Sequence, residues 1–201
     1  MPKLIDHDVK RLDIAQATWK ILIKEGAGGA SVRNIAKEAG ITLGALRYYF
    51  TSQEELMAFT EELVHEKITE KAAEHFMADL APHEKILDLL LGLLPQPQEE
   101  LSASKARLIF KLQPKNTDKP YDTGRDSVYQ AVKSVMSNLV MLNLLKKDTD
   151  LSLETDRLYA LMDGLAMEGM LRGTGYNPYK AKNIIKTHLT SICKTESGDL
   201  Y

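Results

Sequence analysis

Cysteine is nearly absent. The single thiol, Cys193, cannot close an internal disulfide and has no companion for a structural metal site. Long apolar runs are missing as well: nothing approaches the roughly eighteen consecutive residues that a bilayer crossing needs. The opening MPKLIDHDVKR lacks the apolar segment of an export signal, so a reducing cytoplasm is expected. No stretch alternates valine, isoleucine or threonine with polar residues, which argues against strands. Catalytic patterns are absent too. There is no nucleophile–base spacing, no paired carboxylates in an apolar setting and no glycine-rich phosphate loop. His75, His83 and His188 stand alone without ligand spacing on a shared helical face, so neither metal nor cofactor is expected.

What is present is ordinary in bulk, with 44% hydrophobic and 27% charged residues, as in soluble globular chains. At 201 residues there is length for one sizeable core or two small ones. The net charge of −2 conceals an asymmetry, because residues 1–50 carry eight Lys or Arg against five Asp or Glu. A mildly basic head on an acidic remainder suits contact with nucleic acid at one end. Lys3, Lys10, Arg11, Arg33, Lys37 and Arg47 could each touch a phosphate or simply remain solvated.

Apolar spacing of three and four recurs throughout, and about nine helices are expected. The first runs from about Asp8 to Lys24, with Leu12, Ala15, Trp19, Leu22 and Ile23 inward, and ends at the Gly26–Gly29 cluster. Ser31 to Phe50 then reads as a helix–turn–helix. Ser31 caps a short helix with Val32, Ile35, Ala36 and Ala39 on one face, and Gly40 closes it. Thr42 caps the second short helix, whose apolar side is Leu43, Leu46 and Phe50. Small Ala36 sits where the two helices must cross closely. Ser52-Gln53-Glu54-Glu55 matches a capping box and opens a long helix to about Phe76 or Leu80. Later helices are expected at Pro82–Leu94, apolar nearly all round at Ile86 to Leu94, and at Glu99–Leu112, Arg125–Leu145, Ser152–Arg172 and Asn177 to about Cys193.

The arrangement resembles the TetR family of transcriptional regulators. The resemblance rests on Gly26, Ser31-Val32-Arg33-Asn34-Ile35-Ala36, Gly40-Ile41-Thr42, Gly44, Leu46, Tyr49-Phe50, Ser52, Glu55 and Leu56, and covers about residues 8–60. Met162-Asp163-Gly164-Leu165-Ala166 is similar to the dimerising helix of the BetI-like branch. The resemblance implies an all-α chain with a three-helix DNA-binding head, residues 1–51, and a helical effector-binding and dimerisation body, residues 52–201. It also implies a homodimer on a palindromic double-stranded operator, released by a small-molecule effector, with no membrane partner. Ser31, Arg33, Thr42, Leu43, Ala45, Arg47, Tyr48, Tyr49 and Gln53 are the implied DNA-contacting set. Thr42 and Tyr49 suit phosphates. Arg47 suits either a guanine edge or a phosphate. Two positions depart from the family pattern, which commonly has tyrosine at Arg47 and lysine at Gln53.

Candidate effector-pocket residues are Phe59, Leu63, Phe76, Phe110, Tyr129, Met136, Met167 and Met170, since methionines and aromatics make adaptable apolar linings. The same residues suit plain core packing. Few charges fall on the inner faces, so a mostly apolar effector is expected. Leu158, Leu161, Met162, Leu165 and Gly169 form one stripe, and Ile184, Ile185, His188, Leu189 and Ile192 another. Each stripe fits either a two-fold interface or its own subunit's core. A helical enzyme and a helical adaptor remain the competing readings. Specific attachment to duplex DNA separates both from a regulator.

Overall fold

The computed structural model describes residues 3–77, 82–95, 102–112, 122–172 and 176–194. Among these it shows nine α-helices and no strand beyond an isolated bridge between Leu145 and Cys193. They are α1 (Lys3–Gly29), α2 (Val32–Glu38), α3 (Leu43–Tyr49), α4 (Gln53–Met77) and α5 (Pro82–Gly92). There follow α6 (Ala103–Leu112), α7 (Ser127–Met141), α8 (Leu151–Arg172) and α9 (Pro178–Ile192).

The ends are set by local chemistry. Ser31 Oγ accepts from the Asn34 amide at 3.2 Å, and Thr42 Oγ1 from the Ala45 amide at 3.1 Å. Asp126 accepts from Val128 and Tyr129 N–H, Asp150 from Leu153, and Asn177 from Lys180. Each side chain satisfies donors that a first helical turn leaves open. Helix α1 begins before the expected Asp8, and its helical backbone breaks at Gly26, where φ is 69°, as the Gly26–Gly29 cluster led one to expect; a further turn follows to Gly29. Leu12, expected inside, is 40% exposed. Helix α7 stops at Met141 rather than Leu145. Asn143 turns there with φ of 54°, and the chain runs on beside residues 192–194, with Lys146 N–H bonding Ile192 O and Lys194 N–H bonding Leu144 O.

Contacts divide the chain into two units: Met1–Glu66 with Leu101–Pro120, and Lys67–Glu100 with Tyr121–Tyr201. In the first, α1 packs on α2, α3 and α6 around Ile14, Trp19, Leu22, Ile35, Ala36, Leu46 and Phe50. In the second, α7 packs on α8, and α9 on both α5 and α8. Its core includes Leu89, Leu90, Val132, Val135, Met136, Leu158, Met162, Ile185 and Leu189. Each such leucine, isoleucine or valine contributes on the order of 1.5–3 kcal/mol by leaving water. As expected, α5 is apolar nearly all round, with Ile86, Leu87, Leu89 and Leu90 buried. Asp88 is the exposed exception past Ile86, its carboxylate accepting from His75 Nδ1 at 2.6 Å. Cys193 is buried. Among the described residues no helix is long and apolar enough to cross a membrane.

Candidate DNA interface

The turn between α2 and α3 closes on two backbone bonds. Ile41 N–H reaches Ala36 O at 3.0 Å and Gly40 N–H reaches Lys37 O at 3.2 Å. This pairing requires a left-handed residue just past the helix end, and Gly40 supplies it with φ of 66°. Leu46 and Phe50 turn into the core at 2% and 1% exposure, which rotates the opposite side of α3 outward. On that side Leu43, Arg47 and Tyr48 are exposed, Tyr48 by 74%, while Ala45 and Tyr49 are half-buried. Arg33 and Lys37 on α2 are exposed as well. The expected inward and outward faces of α3 are therefore those observed, except that Leu43 stays partly in solvent.

Three of the expected contact residues have structural work of their own. Ser31 and Thr42 spend their hydroxyl oxygens as helix caps. Gln53 Nε2 donates to Ala30 O at 3.0 Å, tying the start of α4 to the loop before α2. The amide thus has an internal role where a lysine would reach outward. Ser52 Oγ accepts from Glu55 N–H at 3.0 Å, and Glu55 Oε2 accepts from Thr51 N–H and its hydroxyl at 2.8 Å. The capping box is present, with its return bond one residue earlier than the simplest form.

Arg11 is the residue whose expected part changes most. It does not reach out toward phosphate. Its Nη1 donates to Tyr49 O at 2.8 Å and to Glu55 Oε1 at 3.0 Å. Its guanidinium also lies over Phe50 and Phe59, 4.3 and 4.8 Å from the ring centroids. One side chain of α1 thereby joins the end of α3 to the first turns of α4. The two bonds from Thr51 and the Arg11 cation hold the Glu55 carboxyl below the usual carboxylate range. Likewise the Lys20 ammonium beside Glu38 lowers that carboxyl and links α1 with α2. A residue missed in the sequence, His7, lies one turn before Arg11 and touches both tyrosines of α3, with ring centroids 5.8 Å from Tyr48 and 5.1 Å from Tyr49. The signal was its place four residues before Arg11, on the same helical face.

Comparison with known proteins agrees with this geometry. The sequence model described as bacterial regulatory proteins, tetR family, matches residues 14–58, and that of the BetI-type transcriptional repressor, C-terminal, matches residues 82–194. The regulator PksA of Bacillus subtilis (strain 168) is 40% identical over 199 residues, covering 99% of this chain and 97% of that protein. The chain belongs to the TetR family. It is a DNA-binding transcriptional regulator and not an enzyme. BetI of Vibrio atlanticus (strain LGP32) is 25% identical, with 94% of each chain covered. Among solved structures, a TetR regulator from Chloroflexus aurantiacus J-10-FL superposes with a TM-score of 0.79 at 15% identity, covering 96% of this chain and all of that one. A regulator from Saccharomonospora viridis, solved in complex with choline, has a TM-score of 0.74 at 18% identity, with 92% of this chain and 98% of that one covered.

Elsewhere in this TetR-family chain the expected pocket residues fall in both units. Phe59, Leu63 and Phe110 belong to the first unit, where Phe59 packs edge-on to Phe50 and the other two are buried. In the second unit Met136 is buried, and Tyr129 is half-buried edge-on to Tyr159. Met170 is half-buried there, whereas Met167 is 38% exposed. The Phe76 side chain lies outside the described residues. The two stripes on α8 and α9 also separate. Leu158, Met162, Leu165, Gly169, Ile185, Leu189 and Ile192 are covered by their own chain. Helical spacing marked the apolar face correctly, but that face is turned to the subunit's own core. Leu161 and Ile184 instead line an open surface groove of about 560 Å³ with Arg157, Tyr179, Thr187 and the otherwise buried His188 among its walls.

Proposed function

We propose that this regulator binds a palindromic operator as a homodimer, each subunit laying α3 in a major groove, and is released by a small, mostly apolar effector. Residues 1–51 act as the reading head and 52–201 as the sensing and dimerising body, in the cytoplasm with their DNA target. The observation that carries the reading is the outward face of α3. Arg47 and Tyr48 project from it while Leu46 and Phe50 anchor it, and Arg33 and Lys37 lie exposed on the preceding helix. A groove-entering helix needs this combination of rigid backing, base-reaching tips and flanking cations.

Leu43, Ala45, Arg47 and Tyr48 are assigned to the groove, with Ser31, Arg33, Thr42, Tyr49 and Gln53 at its phosphate edges. The outer groove on α8 and α9, with Leu161, Ile184 and Tyr179, is assigned to the second copy. Arginine and an aromatic among apolar residues suit the centre of such a contact. An apolar effector is assigned to the methionines and aromatics of the body, Met136 and Met170 among them. An electrophoretic shift with the DNA upstream of the regulator's own gene tests the reading. A salt-sensitive shifted band, protected at two half-sites about one helical turn apart, is expected. Failure to bind any genomic fragment, with or without added metabolites, overturns it.

A further inference from the structure

The regulator's first helix carries two residues one turn apart, His7 and Arg11, and both meet the C-terminal end of α3. Arg11 holds backbone there, through Tyr49 O at 2.8 Å. His7 holds rings. Its imidazole lies edge-on to Tyr48, at 74° between planes, and tilted by 46° against Tyr49. The two phenols are themselves edge-on, with centroids 5.1 Å apart. The three rings thus form a closed triangle on the surface. Within it Tyr48 keeps 74% of its area in solvent.

We propose that His7 is a positioning residue for DNA recognition, its imidazole setting the rotamers of Tyr48 and Tyr49 before the duplex arrives. The inference rests on the reading of α3 as the groove-entering helix. A tyrosine that exposed has no core neighbours to choose its side-chain torsions. Freezing such a side chain only at binding costs roughly threefold to tenfold in affinity. Packed rings of this geometry supply an attraction of similar size in advance. Arg11 cannot do this, because its hydrogen bond fixes the peptide of Tyr49 and leaves both ring torsions open. The charged neighbour of His7 is Asp8, whose Oδ1 is 3.7 Å from Nδ1. The negative charge of that carboxylate repels a phosphate approaching Nδ1.

The test uses the full chain, a duplex enriched by the wild-type protein from a random pool, and an unselected duplex of equal length. His7→Ala and His7→Phe are compared with wild type at a temperature where circular dichroism shows all three folded. His7→Ala is expected to bind the enriched duplex roughly threefold to tenfold more weakly. His7→Phe, which keeps a ring and loses the titratable nitrogens, is expected to restore most of that loss with an unchanged salt dependence. Equal binding by His7→Ala and wild type overturns the proposal and leaves the DNA-binding reading standing. A His7→Phe variant as weak as His7→Ala, with a salt slope lower by about one per subunit, also overturns it, assigning His7 to phosphate. A wild-type protein that enriches no duplex overturns both.

Discussion

Arg47 and Arg11 show how residues of one type divide between an exposed place and a holding one. Arg47 is exposed on the outer face of α3, and a guanidinium there can bond both acceptors of a guanine edge. Arg47→Ala is expected to lower affinity for the selected operator by about 1–3 kcal/mol and to affect random duplex much less. Competitive binding with both duplexes checks this, and equal losses would move Arg47 to the backbone. Arg11 is held by an oxygen on each of two elements and by two rings. Lysine keeps the charge but has no planar fork to bond and stack together. Arg11→Lys should therefore cost on the order of 1 kcal/mol in stability, read by urea unfolding, and should also weaken operator binding.

The short helices show how little each element contributes by itself. Helices α2 and α3 have seven residues each, well below the length at which an isolated helix persists in water. They stand because Ser31 and Thr42 cap them, Gly40 turns the chain, and Ile35, Ala36, Leu46 and Phe50 are buried. A Cβ at Gly40 would meet no atom within 4 Å, so space does not demand the glycine. Its φ of 66° does. Gly40→Ala is expected to destabilise the protein by roughly 1–2 kcal/mol through backbone strain. The urea midpoint should fall with an unchanged slope; an unaltered midpoint would mean that another residue takes the left-handed conformation at no cost.

Across the whole molecule, charge burial and the α8–α9 surface set two further expectations. His188 is buried, and that burial lowers its pKa below the ordinary histidine value. The Glu154 carboxylate, 4.0 Å away, opposes the shift, and Arg157 adds to it. The unfolded chain therefore takes up a proton at a higher pH than the folded one. The stability due to neutral His188 is complete above the ordinary histidine range and is lost as pH falls through it. Melting temperature should drop from about pH 7 to about pH 5.5, and His188→Gln should flatten that slope. An equal slope in the variant would place the titration elsewhere. Ile184 lines the outer groove and is half-buried in the single chain. Ile184→Glu is expected to shift the particle from twice the 22.5 kDa chain mass to one copy by light scattering. A dimer that survives the charge would place the interface on another face.

Much of the fold was legible without coordinates, because helix signals are local. Capping oxygens, Gly40, the proline starts of α5 and α9 and apolar spacing of three and four act within a turn or two of the chain. The outward side of α3 was legible for the same reason: once Leu46 and Phe50 must be buried, the side that carries Arg47 follows from 3.6 residues per turn. Partners distant in sequence were not legible. The part played by Arg11 depends on oxygens 38 and 44 residues away, that of Gln53 on Ala30, and that of His7 on two rings of another helix. The stripes on α8 and α9 looked equally fit for a partner or a core. Spacing marks a buried face without naming what buries it, and only the packing of α5 and α7 against these helices turned Leu158 and Ile185 inward and left Leu161 and Ile184 at the surface.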